Sequence, residues 1–271
     1  MAKVEDLIDT LALERIEVNL FRGVAPTGQG PRIFGGLVIG QALLAAYRTV
    51  ETRICHSLHC YFIRPGDPSI PILYDVDRAR DGKTFTTRRV TAIQHGAQIF
   101  NLAASFHVDQ PGAEHQDPMP KVPAPHDLGD DIGDGDWRRA IEMRWIDGRD
   151  FDNPVAGPPA QNVWMRAITP LPDEIAIQQA VLAYASDMSL LSTSMRPHAM
   201  SWRTPGLQTA SLDHAIWFHR RSDFNHWHLY AQVSPSASGS RGFNLGQIFN
   251  ADGRLVASTA QEGLMRQTAP G

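Results

Sequence analysis

Cysteine is scarce in this chain of 271 residues, which holds only Cys55 and Cys60. Both fall on a stretch that reads as a strand, and their odd spacing sends them to opposite faces, which argues against a disulfide between them. Thiols left unpaired fit a reducing compartment. No apolar run approaches the ~20 residues that a membrane span needs, residues 1–6 lack the apolar core of a signal peptide, and the carboxyl end carries no Ser-Lys-Leu address. The expectation is a soluble, cytoplasmic protein. Basic charge is not in excess either. Lys and Arg number 25 against 29 Asp and Glu, for a net charge of −4, whereas a nucleic-acid scaffold is usually basic.

Several catalytic signatures are also missing. No Gly-x-Ser-x-Gly elbow occurs, so a serine hydrolase of that type is excluded. Gly28-Gln29-Gly30 is followed by Pro31 and Arg32, a loop signal and neither a phosphate loop nor a dinucleotide fingerprint. Among the 11 histidines, His56 and His59 fall on opposite strand faces by alternation, and His226 and His228 flank Trp227 without carboxylate or thiolate company. No metal site is expected.

What is present is an ordered series of elements. Residues 3–15 have helical apolar spacing through Leu7, Leu11 and Ile16. From Phe34-Gly35-Gly36 the chain enters a run through Val38, Ile39, Leu43, Leu44 and Ala46 that is apolar nearly all round, as in a helix wrapped by other structure. Strands are predicted at 56–64, 72–79, 84–94 and 98–108, with turns at Pro65-Gly66-Asp67, Asp81-Gly82 and His95-Gly96, the pattern of an antiparallel meander. Prolines 111, 118, 120, 123 and 125 and the acidic, glycine-rich run 127–136 mark a linker. A second unit then repeats the order, with strands at 141–146 and 161–168, a long helical run over 174–194, and strands at 211–220, 227–233, 242–249 and 254–265.

Shifting 56–67 by 156 residues matches Phe62 with Phe218, Arg64 with Arg220 and Asp67 with Asp223. A shift of 157 matches Gly96 with Gly253 and Ala103 with Ala260. The near-constant offset and the repeated order of elements point to a duplicated unit. The expected organisation is a first unit over 1–109, a linker over 110–137 and a second unit over 138–271. Alternation along 211–220 places Ser211 and Asp213 on one face and His214 on the other, so a Ser-His-Asp triad here would need a bulge.

Phe34-Gly-Gly-Leu-Val-Ile-Gly-Gln-Ala42, His56-Ser-Leu-His-Cys-Tyr-Phe-Ile-Arg-Pro-Gly-Asp67, Tyr184-Ala-Ser-Asp187, Leu212-Asp-His-Ala-Ile-Trp-Phe-His-Arg220 and Gln261-Glu-Gly-Leu-Met-Arg266 together resemble the acyl-CoA thioesterase II (TesB-like) family. The resemblance runs in order over nearly the whole chain outside the linker. It implies an α+β double hotdog, two antiparallel sheets each wrapped around a long helix and fused in one chain. It also implies hydrolysis of fatty acyl-CoA by an activated water, with neither metal nor cofactor, in a homo-oligomer (a dimer or larger). Carried over by motif, the catalytic residues are Asp187, Ser211 and Gln261, with serine standing where the family pattern has threonine. His56 is expected to border the thioester pocket. Arg64, Arg88, Arg89, Arg220 and Arg241 are candidates for the coenzyme's phosphates, which guanidinium groups bind in a fork. Two rival readings are a hotdog-class enoyl-CoA hydratase and an acyl-CoA-binding protein without turnover. The hydratase typically carries His five residues after its Asp, and Ser192 stands there instead. In the first unit Cys55 and Ala104 occupy the places of Ser211 and Gln261, so one site per chain is expected, on the second unit.

Overall fold

The structure is a computed structural model that describes residues 7–26, 30–128 and 140–268. Residues 3–6 of the leading helix, Gly28 and Gln29 of the loop, and 129–136 of the acidic run lie outside the described residues. The elements are α1 (Leu7–Leu11), β1 (Leu13–Arg15), β2 (Leu20–Gly23), α2 (Gly35–Tyr47), β3 (Ile54–Phe62), β4 (Ile72–Asp81), β5 (Phe85–Gln94), β6 (Ala97–His107), β7 (Ile141–Trp145), β8 (Ala160–Ala167), α3 (Ile175–Ser186), α4 (Ser192–Met195), β9 (Leu207–Ser211), β10 (Asp213–Phe218), β11 (His228–Ser238), β12 (Arg241–Asn250) and β13 (Leu255–Gln267).

Among the described residues thirteen strands form one antiparallel sheet, and the path through it turns on the pairing of β3 with β10. Outward from that pair the order is β3-β6-β5-β4-β2-β1 on one side and β10-β13-β12-β11-β8-β7 on the other, with β9 added beside β13. The two halves thus present their strands in the same succession. Registers agree as well, since His59 faces Ala103 as Ala215 faces Ala260. The hairpin at His95-Gly96 has positive φ at both residues (49° and 69°), the conformation of a turn whose twist suits a two-residue hairpin.

The sheet wraps α2 and α3, which pack on one another. Every residue of α2 from Gly36 to Ala46 is buried, as its nearly uniform apolarity requires. A methyl group on Gly36 would lie 2.4 Å from the Tyr184 carbonyl oxygen, so glycine permits this close crossing.

Four expectations need correction. The leading helix stops at Leu11, and Leu13–Arg15 is a strand paired with β2. The long helix ends at Ser186, with Asp187 as its cap residue, and helix resumes only at Ser192. The stretch 211–220 is not one strand. Ser211 pairs with Gly263 but Ala215 with Ala260, so one extra residue enters at Leu212. Strand β3 carries its own irregularity between Cys55 and Ser57. With the 156-residue offset, His56 and Leu212 correspond, so both halves break alternation at the same point. As a result Cys55 and Cys60 both face inward, buried and free. His56 and His59 both lie on the outer face, against Ser105 and Trp217 respectively.

The described part of the proline-rich segment is no free tether. Met119, Val122 and Leu128 cover Trp164, Leu229, Phe249 and Leu255. Trp164 Nε1 donates to the Pro123 carbonyl (2.9 Å), and Gln116 Nε2 to that of Gly253 (2.8 Å). This cover keeps the large apolar side chains of the second half from water.

Candidate active site

Three elements deliver Asp187, Ser211 and Gln261 to one place. Helix α3 ends where Ser186 Oγ turns back to the Ala183 carbonyl (2.9 Å), while the Ser186 carbonyl accepts from Tyr230 Oη (3.0 Å). This seats Asp187 at the helix end, 8% exposed. The extra residue at Leu212 lets Ser211, the last residue of β9, face the helix, and Gln261 projects inward from β13. Gln261 Nε2 donates to Asp187 Oδ1 (2.5 Å) and to Ser211 Oγ (3.1 Å), and Ser211 Oγ donates to Asp187 Oδ1 (3.3 Å). Gln261 Oε1 is a buried acceptor with no partner among the described residues. The reverse amide orientation would set that oxygen against the carboxylate.

Burial pushes the Asp187 carboxyl up to about 6. The donors Gln261 and Ser211 and the Gly36 N–H hold it back from rising further. Gly36 belongs to the first turn of α2, so the first half of the chain completes the site of the second. Gly35 also approaches closely, since a Cβ there would stand 2.7 Å from Asp187 Oδ2.

Asp187 and Ser211 open onto a cavity of about 430 Å³. Ile33, Phe34, Val38, Phe62 and Phe100 line it from the first half, with Met188, Leu191 and Trp202 from the segment after α3. Gln261 is fully buried behind the other two. Arrangement and chemistry agree here: an apolar chamber ends on a carboxyl poised to take a proton near neutral pH.

The other expected residues are dispersed. His56 bonds Ser105 Oγ (2.8 Å) on the outer face, away from this cavity, and burial followed by the nearby His107 lowers its pKa. Arg88 is 1% exposed and donates to Thr49, to the Arg80 and Thr87 carbonyls and to Asp81, so its guanidinium is not available to a phosphate. Arg220 donates to the Leu255 carbonyl (2.8 Å) and Arg241 pairs with Glu262 (2.9 Å). Neither these two nor the exposed Arg89 lines the cavity; of the five arginines only Arg64 does. His214 does face inward, as a triad would need, yet its Nε2 meets Ser186 Oγ (2.9 Å), and burial lowers its pKa to about 3, leaving it neutral. Sequence reasoning missed Arg32, Trp202 and the Gly36 N–H. For Gly36 the Phe34-Gly-Gly helix start was a usable signal; Arg32 and Trp202 sit in loops whose course no local pattern reveals.

At the counterpart places in the first half, Tyr47 ends α2 and donates to Gln179 Oε1. Its oxygen accepts from the Cys55 N–H (2.9 Å), and its ring packs edge-on to Phe106. Among the described residues no carboxylate bonds Tyr47 or Cys55 there, and Ala104 provides no amide. Among the described residues no cluster of His, Cys, Asp or Glu could hold a metal, and no helix is long and apolar enough to cross a membrane.

Residues 133–264 match the acyl-CoA thioesterase family model, and residues 24–107 match the acyl-CoA thioesterase N-terminal domain. Acyl-CoA thioesterase 2 of Haemophilus influenzae is 41% identical over 97% of this chain and 98% of its own. The chain belongs to the acyl-CoA thioesterase II (TesB-like) family. The crystal structure of the acyl-CoA thioesterase II TesB2 from Mycobacterium marinum superposes on this thioesterase with a TM-score of 0.85. It shows 43% identity and covers 97% of this chain and 99% of that one. A hot dog fold protein of unknown function from Alicyclobacillus acidocaldarius, 21% identical, aligns over 97% of this chain and 98% of its own with a TM-score of 0.83, a likeness of fold alone. The thioesterase is thus of hotdog type, with a large antiparallel sheet and few helices.

Proposed function

We propose that Asp187, Ser211 and Gln261 hold and activate the water with which this thioesterase cleaves acyl-CoA into a free fatty acid and coenzyme A. The observation that carries the reading is the buried Asp187 carboxyl, raised to about 6 and facing an apolar cavity. Ionised at neutral pH, it takes a proton from water as the oxygen attacks the thioester carbonyl. Ser211, at the cavity wall, orients that water. Gln261, behind both, fixes the carboxylate and the hydroxyl through its Nε2. The carbonyl oxygen, as it gains charge, faces the first turn of α2, where Gly35 borders the cavity and backbone N–H groups lack helical partners. The thiolate leaves, and the proton held by Asp187 is returned to it.

Architecture and site number belong to the same reading. The mirrored strand order supports a double hotdog with one unit over 1–109 and the other over 138–271, joined by 110–137. One site per chain follows from Tyr47, Cys55 and Ala104 filling the counterpart places. Tyr61 of β3, Trp217 of β10, and Phe243 and Leu245 of β12, all exposed on the sheet, support association of two or more copies through its outer face. The free buried cysteines support a cytoplasmic setting. The test is thiol release from acyl-CoAs of graded chain length. The chain should release thiol and Asp187→Ala should lose most of the rate, whereas full activity in that variant would remove Asp187 as the base.

A further inference from the structure

Most arginines near the second half are committed to carboxylates: Arg220 to Glu114, Arg241 to Glu262, Arg203 to Asp152, and Arg144 and Arg166 to Glu142. Two at the cavity are not. Arg32 and Arg64 both line it, both are exposed, and neither has an ion pair among the described residues. Among the described residues Arg32 Nη2 donates only to the Thr209 carbonyl of β9 (3.3 Å), and Arg64 Nη1 only to the Gln98 carbonyl (2.6 Å). Each therefore keeps several N–H donors for another acceptor.

Their placement is built into the fold. The Ile33 N–H, beside Arg32, donates to the Gly66 carbonyl (3.0 Å), and the Ile63 and Arg64 N–H groups both donate to the Ile99 carbonyl (2.9 and 3.0 Å). These bonds tie the two arginine-bearing loops into one rim. A Cβ at Gly66 would come within 2.9 Å of the Ile33 side chain, so glycine lets the loops meet. Asp67, the acidic group three residues beyond Arg64, is turned away onto the Ser69 N–H and hydroxyl and faces His95. The rim thus carries two free guanidinium groups beside an apolar chamber.

We infer that Arg32 and Arg64 together form the anion clamp that holds the phosphates of coenzyme A while the acyl chain fills the cavity. The inference rests on the thioesterase reading above. Planar guanidinium forks match phosphate oxygens, and two of them on fixed loops would orient the carrier as well as attract it. Of the five arginines expected to serve from sequence, Arg64 has this setting; Arg32 was not among them.

The test compares one acyl group carried on pantetheine, on dephospho-coenzyme A and on coenzyme A. Wild-type protein should show a higher kcat/KM for the phosphate-bearing carriers, and the gain should shrink as salt rises. Arg32→Ala and Arg64→Ala should each cut the coenzyme A to pantetheine ratio by roughly tenfold, as expected for a hydrogen bond to a charged group. The double variant should bring the ratio close to one, and lysine at either position should restore part of it. A gain already present with dephospho-coenzyme A places the clamp on the diphosphate, and a gain only with coenzyme A places it on the 3′-phosphate. Arg89→Ala serves as the control and should leave the ratio in place. A double variant that keeps the wild-type ratio would overturn the clamp. Equal wild-type rates on all three carriers would overturn it too while leaving the hydrolase standing, whereas no hydrolysis of any would defeat the hydrolase itself.

Discussion

Asp187→Asn should stabilise the folded protein while disabling it, and by an amount that depends on pH. Burial lifts the Asp187 carboxyl from 3.8 to about 6. The unfolded chain therefore loses this proton near pH 4 and the folded chain only near pH 6. Between those values the unfolded state binds fewer protons, so stability falls as pH rises, and above about 6 the whole cost is present. At ~1.36 kcal/mol per pH unit the shift corresponds to about 3 kcal/mol. For a chain of this size that is about 5 °C in Tm. Asparagine does not titrate and carries none of this cost. Any loss from setting an amide against the Gly36 N–H is the same at every pH, so it cancels from the trend. Thermal unfolding of both proteins from pH 4 to pH 8 should show Tm of the variant rising relative to wild type by about 5 °C between pH 4 and 7, then levelling. A difference that stays flat across that range, or narrows toward pH 7, would refute the argument that burial of an ionised Asp187 is costly.

The base must be ionised to act, so kcat/KM should climb with pH through an apparent pKa near 6. Gln261→Ala removes the donor at 2.5 Å and should move that limb to higher pH; Ser211→Ala, removing one at 3.3 Å, should move it less. A downward shift in either profile would contradict the assigned direction of the hydrogen bonds. Gly35→Ala should still fold, because alanine favours helix, but with about 1–3 kcal/mol less stability from crowding. Its methyl group would stand 2.7 Å from Asp187 Oδ2 and 2.8 Å from the Phe62 ring, and kcat should fall roughly 100-fold from misplacement of the base. Unchanged kcat would show that the carboxylate can yield at no cost.

Much of the fold was legible because its signals are local. The uniform apolarity of 37–46 marked a wrapped helix, and Asp81-Gly82 and His95-Gly96 marked hairpins. The extra residues at His56 and Leu212 were not legible, because a bulge adds one position without changing composition, and every face assigned by alternation beyond it inverts. That one effect misplaced Cys55, His56 and His214 alike. The break after Ser186 was hidden for a different reason. Residues 174–194 contain neither glycine nor proline, and the helix stops through tertiary bonds to Ser186 that sequence does not show. Arg88 could have been placed correctly. It shares strand parity with Thr86, Val90, Ala92 and Gln94, all buried, so its position already outweighed the usual preference of arginine for water. The motif resemblance named Asp187, Ser211 and Gln261 together, and the structure adds that Gln261 stands behind the other two and that Gly36 reaches the carboxylate from the other half of the chain.

The central claim is that Asp187 activates a water and does not itself attack the thioester. A single turnover in ¹⁸O-labelled water, with the protein in excess over acyl-CoA, separates direct attack by water from a route in which water opens a mixed anhydride at the Asp187 carbonyl. Direct attack by water places one ¹⁸O in the released fatty acid and leaves the Asp187 side chain unlabelled. Unlabelled acid in that first turnover, with ¹⁸O found in the peptide that carries Asp187, would mean an acyl–carboxylate intermediate and would contradict the account.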